Sequence, residues 1–253
     1  MTMGPRIQAG RGTDCWRLVL AAMLLALAGC ASTAGGGASD DRAARVDPFE
    51  PFNRSVHAFN DAVDKAVLKP VAKGYEKVVP EPVRFMVGNF FGNLADVWTA
   101  VNQVLQGKPV EAMTDLSRVV INSTLGLAGI VDLASAIGIE KHHEDFGQTL
   151  GVWGVPAGPY LVLPFLGPSS LRDAPARGVD MVADPLTQID SHGQRNNLWL
   201  TRVIDDRSRL FRAERLLDDA ALDKYSFMRD AWLQRRRNLV HDGNAPLDED
   251  DED

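Results

Sequence analysis

The sequence predicts an all-α protein with a single domain and at most one short strand. Apolar residues recur at helical spacing in nearly every segment of the chain, and Pro and Gly interrupt them often. No internal repeat and no shift in composition marks a second domain boundary in the body of the chain. We therefore expect short to medium helices that pack around one another, in a domain that covers residues 47–240.

The N-terminus carries the pattern of a bacterial lipoprotein signal. Three arginines precede a short apolar run, which closes on Leu27-Ala28-Gly29-Cys30. We expect residues 1–29 to be removed as a signal peptide, and Cys30 to become the new N-terminus, carrying a diacylglycerol group and an N-acyl chain. The small residues that follow predict a flexible tether over residues 30–46. Because no Asp follows Cys30, we expect the lipid anchor to lie at the periplasmic face of the outer membrane.

Charge and cysteine content exclude two further classes of protein. The full chain has a net charge of −7, and residues 248–253 are all acidic, so the body lacks the basic surface that nucleic-acid binding needs. We expect residues 241–253 to form a disordered acidic tail. Of the two cysteines, Cys15 leaves with the signal and Cys30 is lipidated, so the mature domain holds no disulfide.

The first predicted helix covers residues 51–68. Four apolar residues share one of its faces, namely Val56, Phe59, Val63 and Val67. Pro70 ends this helix or begins the next segment, because proline cannot donate a backbone hydrogen bond within a helix.

A long helix is predicted over residues 82–105, and it has three different faces. The apolar arc includes Phe90, Leu94, Val97 and Val101. The polar stripe consists of Asn89, Asn93, Asp96 and Gln103. The small face consists of Gly88, Gly92, Ala95 and Thr99, and it would let another helix approach closely. The polar stripe fits a water-lined or headgroup-lined path, and it fits equally well the solvated edge of an ordinary core helix.

The next helix is predicted over residues 109–125. Its buried face is expected to consist of Val110, Met113, Leu116, Val120 and Leu127. Residues 125–139 are apolar and rich in small residues, with Asp132 as the only charge. They fit a helical hairpin, either at a membrane interface or buried in the protein.

The second half of the chain contains one irregular segment and three predicted helices. Residues 144–170 carry so many glycines and prolines that no regular helix is expected there, and Tyr160–Leu163 is the best candidate for a strand. The remaining helices are predicted over residues 170–184, 194–210 and 213–240.

The sequence shows no constellation typical of an enzyme. The only dense group of possible metal ligands is His142-His143-Glu144-Asp145, whose adjacent side chains point apart, and no distant His or Cys completes a known spacing. Neither a nucleophile elbow nor a phosphate-binding loop is present. We therefore predict no catalytic residues, no metal site, and no cofactor beyond the lipid on Cys30.

Several runs of residues have the character of family motifs, among them Asp47-Pro48-Phe49-Glu50-Pro51-Phe52-Asn53-Arg54 and Asn89-Phe90-Phe91-Gly92-Asn93-Leu94. These two resemble the start and the central helix of one known family, the MlaA (VacJ) lipoproteins of Gram-negative outer membranes. The most specific run is Glu144-Asp145-Phe146-Gly147-Gln148-Thr149-Leu150-Gly151, which continues to Arg172-Asp173. Asp223, Tyr225 and Arg229-Asp230-Ala231-Trp232 resemble the C-terminal element.

This resemblance implies a ring-shaped, multi-helix domain that lies in the inner leaflet of the outer membrane. It implies that the protein removes mislocalised phospholipid from the outer leaflet and passes it to a soluble periplasmic carrier of the MlaC type. A trimeric outer-membrane porin is the expected neighbour. The alternative function is a structural lipoprotein that tethers or stabilises a porin without transporting lipid.

Two sets of residues follow as candidates for the lipid path. Along the long helix they are Asn89, Phe90, Gly92, Asn93, Leu94, Asp96, Val97, Val101 and Gln103. In the irregular segment we expect a pore-edge or gating loop at Gly147, Gly151, Gly154, Gly158 and Pro159, because glycine tolerates unusual backbone angles.

Overall fold

The computed structural model describes residues 46–245, apart from the side chains of residues 216 and 218–220. The predicted signal peptide, Cys30 and the predicted tether up to residue 45 lie outside the described residues, as do residues 246–253 of the predicted tail. The described residues belong to one unit. Their regular secondary structure is helical except for one two-stranded hairpin, which confirms the predicted all-α fold class.

The described helices, in chain order, are α1 (Glu50–Val63), α2 (Lys69–Val78), α3 (Glu81–Leu105), α4 (Pro109–Thr124), α5 (Leu133–Ala136), α6 (Phe146–Val152), α7 (Asp173–Ala183), α8 (His192–Arg209), α9 (Phe211–Ala220) and α10 (Lys224–Val240). The strands are β1 (Tyr160–Leu163) and β2 (Gly167–Ser170), and a 3₁₀ turn spans Pro185–Gln188. Among the described residues, no helix is both long and apolar enough to cross a membrane.

Helices α1 and α2 follow one another through a wide π-turn at Asp64–Leu68. Pro70, which lies at the start of α2, has no N–H to donate, and its ring conflicts with the carbonyl of the preceding turn of a regular helix. The wide turn relieves this conflict, so Pro70 begins the next helix, one of the two outcomes that the sequence allowed. Such π-turns interrupt helices mostly as single turns.

The predicted long helix and the helix after it are confirmed as α3 and α4, but other boundaries need correction. The helix expected over residues 213–240 is two helices, because Asp223 caps α10 by accepting a hydrogen bond from the Tyr225 N–H. The irregular segment contains one short helix, α6, whose first turn is capped by Asp145. Residues 125–139 form turns and the single-turn helix α5, not a helical hairpin.

The predicted strand Tyr160–Leu163 is confirmed, and it has a partner that the sequence analysis missed. β1 pairs antiparallel with β2, with Tyr160 opposite Ser170 and Leu163 opposite Gly167. The sequence predicts at most one strand and the structure has two, so this part of the prediction is wrong. A lone strand would leave its backbone groups unpaired, so a second strand is the physical requirement that the prediction omitted.

Two asparagines of α1 cover the other edge of β1. The Asn53 amide donates to the Tyr160 carbonyl at 3.1 Å and accepts from the Val162 N–H at 2.8 Å. Asn60, two turns later, donates to the Leu163 carbonyl at 2.9 Å and accepts from the Phe165 N–H at 2.8 Å. Each amide pairs with the strand as a neighbouring strand would, so the helix protects the edge of the sheet.

The interior of the fold is polar and much of its surface is apolar. In α4, the side chains that face inward are Ala112, Asp115, Arg118 and Asn122. The predicted buried face points outward instead, with Val110 73% and Val120 61% exposed. Phe59 of α1 and Val67 of the π-turn after it are also exposed. The apolar stripe of α4 thus faces the surroundings of the protein and its polar stripe faces the interior.

Replacing Asn53 should destabilise the fold at the hairpin. Asn53 is fully buried and also donates to Asp47 Oδ1 at 2.7 Å. In Asn53→Leu, the Val162 N–H and the Asp47 carboxylate lose this partner, at a cost of about 3 kcal/mol in unfolding free energy. The loss of unfolding free energy is measured by denaturant unfolding in a single detergent, with circular dichroism as the signal.

Ser55→Ala is the matched control for that measurement. Its exposed hydroxyl donates only within α1, to the Pro51 carbonyl. We expect a change within about 0.5 kcal/mol. Equal stabilities for the two variants would contradict the structural role of Asn53.

Candidate functional site

Three members of the predicted polar stripe of α3 lie in the interior, and one lies at the surface. Asn93, Asp96 and Gln103 are buried. The Asn93 amide donates to the Ser123 hydroxyl of α4 at 2.9 Å. Asn89 is half-buried and donates to the Ile130 carbonyl at 3.1 Å. The amides of Asn89 and Asn93 thus join α3 to neighbouring segments. Whether the four side chains of the stripe also line a lipid path stays a prediction.

Arg118 of α4 is the centre of a buried charge network. Its side chain and that of Asp96 are both fully buried, and Arg118 Nε lies 3.5 Å from Asp96 Oδ2. Arg118 also donates to the Ile139 carbonyl at 2.5 Å and to both oxygens of Asp132 at 3.0 Å. Lys141 pairs with Asp96 from the other side. One arginine therefore connects α3, α4 and the segment that precedes α6.

Asp132 combines a helix cap with this network. It caps α5 by accepting from the Ser135 N–H at 3.0 Å, and it accepts from the Asn122 amide at 3.0 Å. Burial alone would raise the pKa of Asp132, but the hydrogen bonds from Ser135 and Asn122 and the charge of Arg118 lower it to about 2. The carboxylate is thus held in its ionised form.

A second buried carboxylate, Asp115, anchors the same segment. Its Oδ1 accepts from the His142 N–H at 3.3 Å, and its Oδ2 lies 2.9 Å from His142 Nδ1. Asp115 is fully buried on the inward face of α4. The segment from Asp132 to His142 is therefore held at both ends by buried side chains of α4.

Polar side chains also connect the end of α3 to α6. The Thr149 hydroxyl donates to Asn102 Oδ1 at 2.8 Å, and Gln106 Nε2 donates to Glu144 Oε2 at 2.9 Å. Burial raises the pKa of Glu144, although Gln106 and the Lys108 charge act in the opposite direction. These contacts fix the start of the irregular segment against the long helix.

Arg236 of α10 holds the two ends of the irregular segment. It donates to both oxygens of Asp145, at 2.5 and 2.6 Å. Its Nε lies 2.8 Å from Asp173 Oδ2, at the start of α7, and Arg172 Nε donates to Asp173 Oδ1 at 2.7 Å. Burial raises the pKa of Asp145, but the paired guanidinium of Arg236 outweighs it and the pKa is lowered. The planar fork of arginine matches this two-oxygen arrangement.

The five candidates for the gating loop fall into two groups. Gly147 and Gly151 lie in α6, where an added Cβ would approach Arg236 Nη2 to 2.4 Å and Arg172 Nη1 to 2.7 Å, respectively. Gly154 and Gly158 lie after α6 with φ of +87° and +67°, and Pro159 immediately precedes β1. The first group is needed for close packing and the second for turn geometry. A gating role for either group stays a prediction.

The remaining candidates of α3 lie on its other faces. Val97 and Val101 are exposed, and Phe90 and Leu94 are half-buried. On the small face, long cationic side chains take the place of the expected helix. Lys141 Nζ lies 3.4 Å from the position of a Cβ at Gly92, and the Arg209 guanidinium occupies that position at Gly88.

Sequence reasoning missed the cations that complete these networks. Arg118 and Lys141 carry no motif of their own. Arg236 lies in the basic run of residues 235–237, whose sequence fits either contact with anionic lipid headgroups or a solvated helix end. The available signal was Asp132, the single charge in an apolar segment, which requires a buried partner. Within the described residues, no group of three or more His, Cys, Asp or Glu side chains could hold a metal ion.

The fold and the site define a class of protein: a helical domain with a paired polar interior and an apolar exterior. Comparison with known proteins narrows this class. The model of the MlaA lipoprotein family matches residues 45–239. The "Intermembrane phospholipid transport system lipoprotein MlaA" of Escherichia coli (strain K12) is 35% identical over 224 residues, which cover 86% of this chain and 85% of that protein.

Two further similarities agree with this family. The protein of the same name from Haemophilus influenzae is 32% identical over 234 residues, 90% of this chain and 92% of that protein. A solved structure described as "Structural basis for maintenance of bacterial outer membrane lipid asymmetry" has a TM-score of 0.68 and 32% identity, and it covers 78% of this chain and all of that one. The chain belongs to the MlaA lipoprotein family, which confirms the resemblance seen in the motifs.

Replacing Arg236 should destabilise the attachment of α10. In Arg236→Met, Asp145 and Asp173 lose their partner, and we expect a loss of about 3 kcal/mol, the low end for a broken buried ion pair because Asp145 is partly exposed. Arg236→Lys should lose less, because it keeps the charge but not the two-oxygen fork. Arg235→Met, at an exposed neighbour, is the control. Denaturant unfolding measures the unfolding free energy of all three variants. Equal losses of stability in Arg235→Met and Arg236→Met would contradict the role of Arg236 in holding Asp145 and Asp173.

Ionisation of Asp132 should make the stability of the fold depend on pH in the acid range. Because the pKa of Asp132 is lowered to about 2 in the folded protein, against about 3.9 in an unfolded chain, its ionised form stabilises the fold above pH ~4. This contribution is lost as the pH falls towards 2. We expect Asp132→Asn to be less stable than the unsubstituted protein at pH 6 and closer to it at pH 2.

The measurement is the thermal unfolding midpoint between pH 6 and pH 2. Asp190→Asn removes an exposed carboxylate and serves as the control. A constant difference in midpoint between Asp132→Asn and the unsubstituted protein across this range would disprove the assignment.

Proposed function

We propose that this protein is an outer-membrane lipoprotein that removes mislocalised phospholipid from the outer leaflet and hands it to a periplasmic carrier, so that lipid asymmetry is maintained. Cys30, with its diacylglycerol and N-acyl chains, is the proposed anchor. We propose no other cofactor and no catalytic activity. The proposed partners are phospholipids, a porin trimer and a soluble carrier of the MlaC type.

The observation that carries this proposal is the inverted distribution of polarity, together with membership of the family. The relatives from E. coli and H. influenzae are named for phospholipid transport between membranes. In this chain, α3 and α4 expose apolar side chains while their polar faces are paired inside. A surface of this kind is favourable next to acyl chains and unfavourable in water.

The energetics of lipid transfer explain why such a surface is useful. Exposing a methylene group to water costs about 0.8 kcal/mol, so a phospholipid with roughly 28 methylenes faces a barrier on the order of 20 kcal/mol. A protein lowers this barrier if it shields the chains while the headgroup moves, and no bond needs to be broken. The exposed apolar faces of α3 and α4 support this role in the inner leaflet, around the ring that we expect from the family.

The paired interior supports a rigid framework for the path. Buried ion pairs such as Asp96 with Arg118 and Asp145 with Arg236 are costly to separate. We propose that the framework stays fixed while the turn that carries Gly154 and Gly158 adjusts to the passing lipid, because its left-handed glycines can change conformation at low cost.

The first test is the amount of phospholipid in the outer leaflet of a deletion strain. A headgroup reagent that cannot cross the membrane reports it, with the gene absent, restored, or restored as Cys30→Ala. We expect a rise on deletion, reversal by the unsubstituted gene, and no reversal by Cys30→Ala, which lacks the proposed anchor.

The same strains separate the competing functions. Unchanged outer-leaflet phospholipid with a loss of assembled porin trimer would support the structural-tether alternative. Accumulation of lysophospholipid or free fatty acid that depends on the gene would indicate an enzyme. Either result would contradict phospholipid removal as stated here.

A further inference from the structure

A groove lies at the start of α3, apart from the charge networks. Pro82, Phe85 and Met86 of α3 form one side of it, and Ile130 and Val131 form the other. Its polar lining consists of Glu81 and Asn89. The groove has a volume of about 560 Å³ and is open to the surroundings of the protein. It is therefore an apolar recess with few polar groups, which is the usual composition of a site for an apolar ligand.

The wall opposite α3 is held in a fixed and strained conformation. Leu127, Ala128 and Gly129 are consecutive left-handed residues, with φ of 54°, 58° and 86°. For the two residues that carry a Cβ, this conformation costs roughly 1–2 kcal/mol each. A Cβ on Gly126 would lie 2.2 Å from the Val131 carbonyl oxygen, so only glycine fits there. Strain of this kind is concentrated at ligand sites, because the rest of the structure must compensate for it.

The two walls are joined by the polar residue between them. The Asn89 amide, in the lining, donates to the carbonyl of Ile130, in the facing wall. This bond sets the width of the groove. It also uses an amide that would otherwise face an apolar ligand without a partner.

The size of the groove fits one acyl chain. An apolar cavity of about 150 Å³ holds benzene, with its six carbons, so a groove nearly four times larger has room for on the order of 16–22 carbons. The exposed Leu125 and Leu127 lie in the turn that leads to the Ile130 wall. The apolar recess therefore continues a surface that we assign to the acyl region of the leaflet.

The groove carries one charged side chain, Glu81, at the first residue of α3. Its other lining residues are apolar apart from Asn89. The carboxylate therefore marks one end of an apolar recess. An anion in this position complements the ammonium of a phospholipid headgroup that is attached to an acyl chain.

We propose that this groove binds one acyl chain of a phospholipid, with the ammonium of the headgroup at Glu81. The proposal rests on the proposed function, and it adds a defined binding site to it. Because Asn89 is bonded to the opposite wall, it positions the groove and does not hold the headgroup.

The test uses the full-length lipidated protein in nanodiscs of phosphatidylethanolamine and phosphatidylglycerol. A phosphatidylethanolamine with a diazirine at the end of one acyl chain is the probe, and mass spectrometry maps the cross-linked residues after illumination. We expect cross-links concentrated at Phe85, Met86, Ile130 and Val131. Equal yields on the outer face of α4, at Val110 and Val120, would show only general contact with lipid and would overturn the proposal.

Variants that fill the groove provide the second measurement. Met86→Trp should lower cross-linking at Ile130 and Val131 about tenfold, the effect expected when roughly two methylenes lose their burial. Val120→Trp adds the same side chain to an exposed position outside the groove and should leave the yield unchanged. Both sites are exposed, and circular dichroism checks that the variants fold. An unchanged yield in Met86→Trp would contradict the site.

Phospholipid measurements in cells separate this proposal from the proposed function. Suppose that deletion raises outer-leaflet phospholipid and that the Met86→Trp gene lowers it again to the normal level. The groove is then not part of the path, although the proposed function stands. If deletion causes no rise, the proposed function fails. If the groove residues are found cross-linked to a co-purified porin and not to lipid, the occupant of the groove is a side chain of that porin. This result would overturn the acyl-chain proposal.

Discussion

Pairing of buried charge is the constraint on which the rest of the structure depends. Arg118 has no contact with solvent, and it is within reach of Asp96, Asp132 and the Ile139 carbonyl. A buried guanidinium is tolerated only when its donors are used and its charge is compensated. The partners come from α3 and from the segment after α4, so their positions relative to α4 are fixed by one side chain. The helices pack in the arrangement that compensates the charge of this arginine, although its Nε lies 3.5 Å from Asp96 Oδ2 and makes no hydrogen bond.

The same constraint explains the outer surface. Because the inward faces of α3 and α4 are filled by Asn93, Asp96, Asp115 and other polar groups, the apolar residues of these helices have no interior left to occupy. They face outward, and the proposed position in a lipid leaflet would give them the surroundings that a water-soluble protein finds in its own core. Membership of the MlaA lipoprotein family agrees with such surroundings. The polar interior and the apolar exterior are thus two consequences of one arrangement.

The most specific sequence motifs build this framework. Asp145, in the run that best identifies the family, caps α6 and binds Arg236 of the last helix. Asn53, in the opening motif, completes the edge of β1. These residues set the geometry of the domain. The proposed contacts with lipid lie elsewhere, on exposed apolar faces and in the groove beside Ile130, where shape and polarity are the properties required.

The sequence by itself determined the positions of most helices, the first strand and the family, and it predicts the lipoprotein signal. These features depend on local spacing, on proline and glycine, and on motifs of a few residues. Only the tertiary structure decided which side of each helix is inside. Periodicity gives the angle between side chains around a helix axis, but it does not say whether the apolar side meets the protein or its surroundings, and the buried face assigned to α4 was wrong for this reason. It also cannot pair Arg236 with Asp145, 91 residues away, because an ion pair between distant residues depends on how the intervening helices pack.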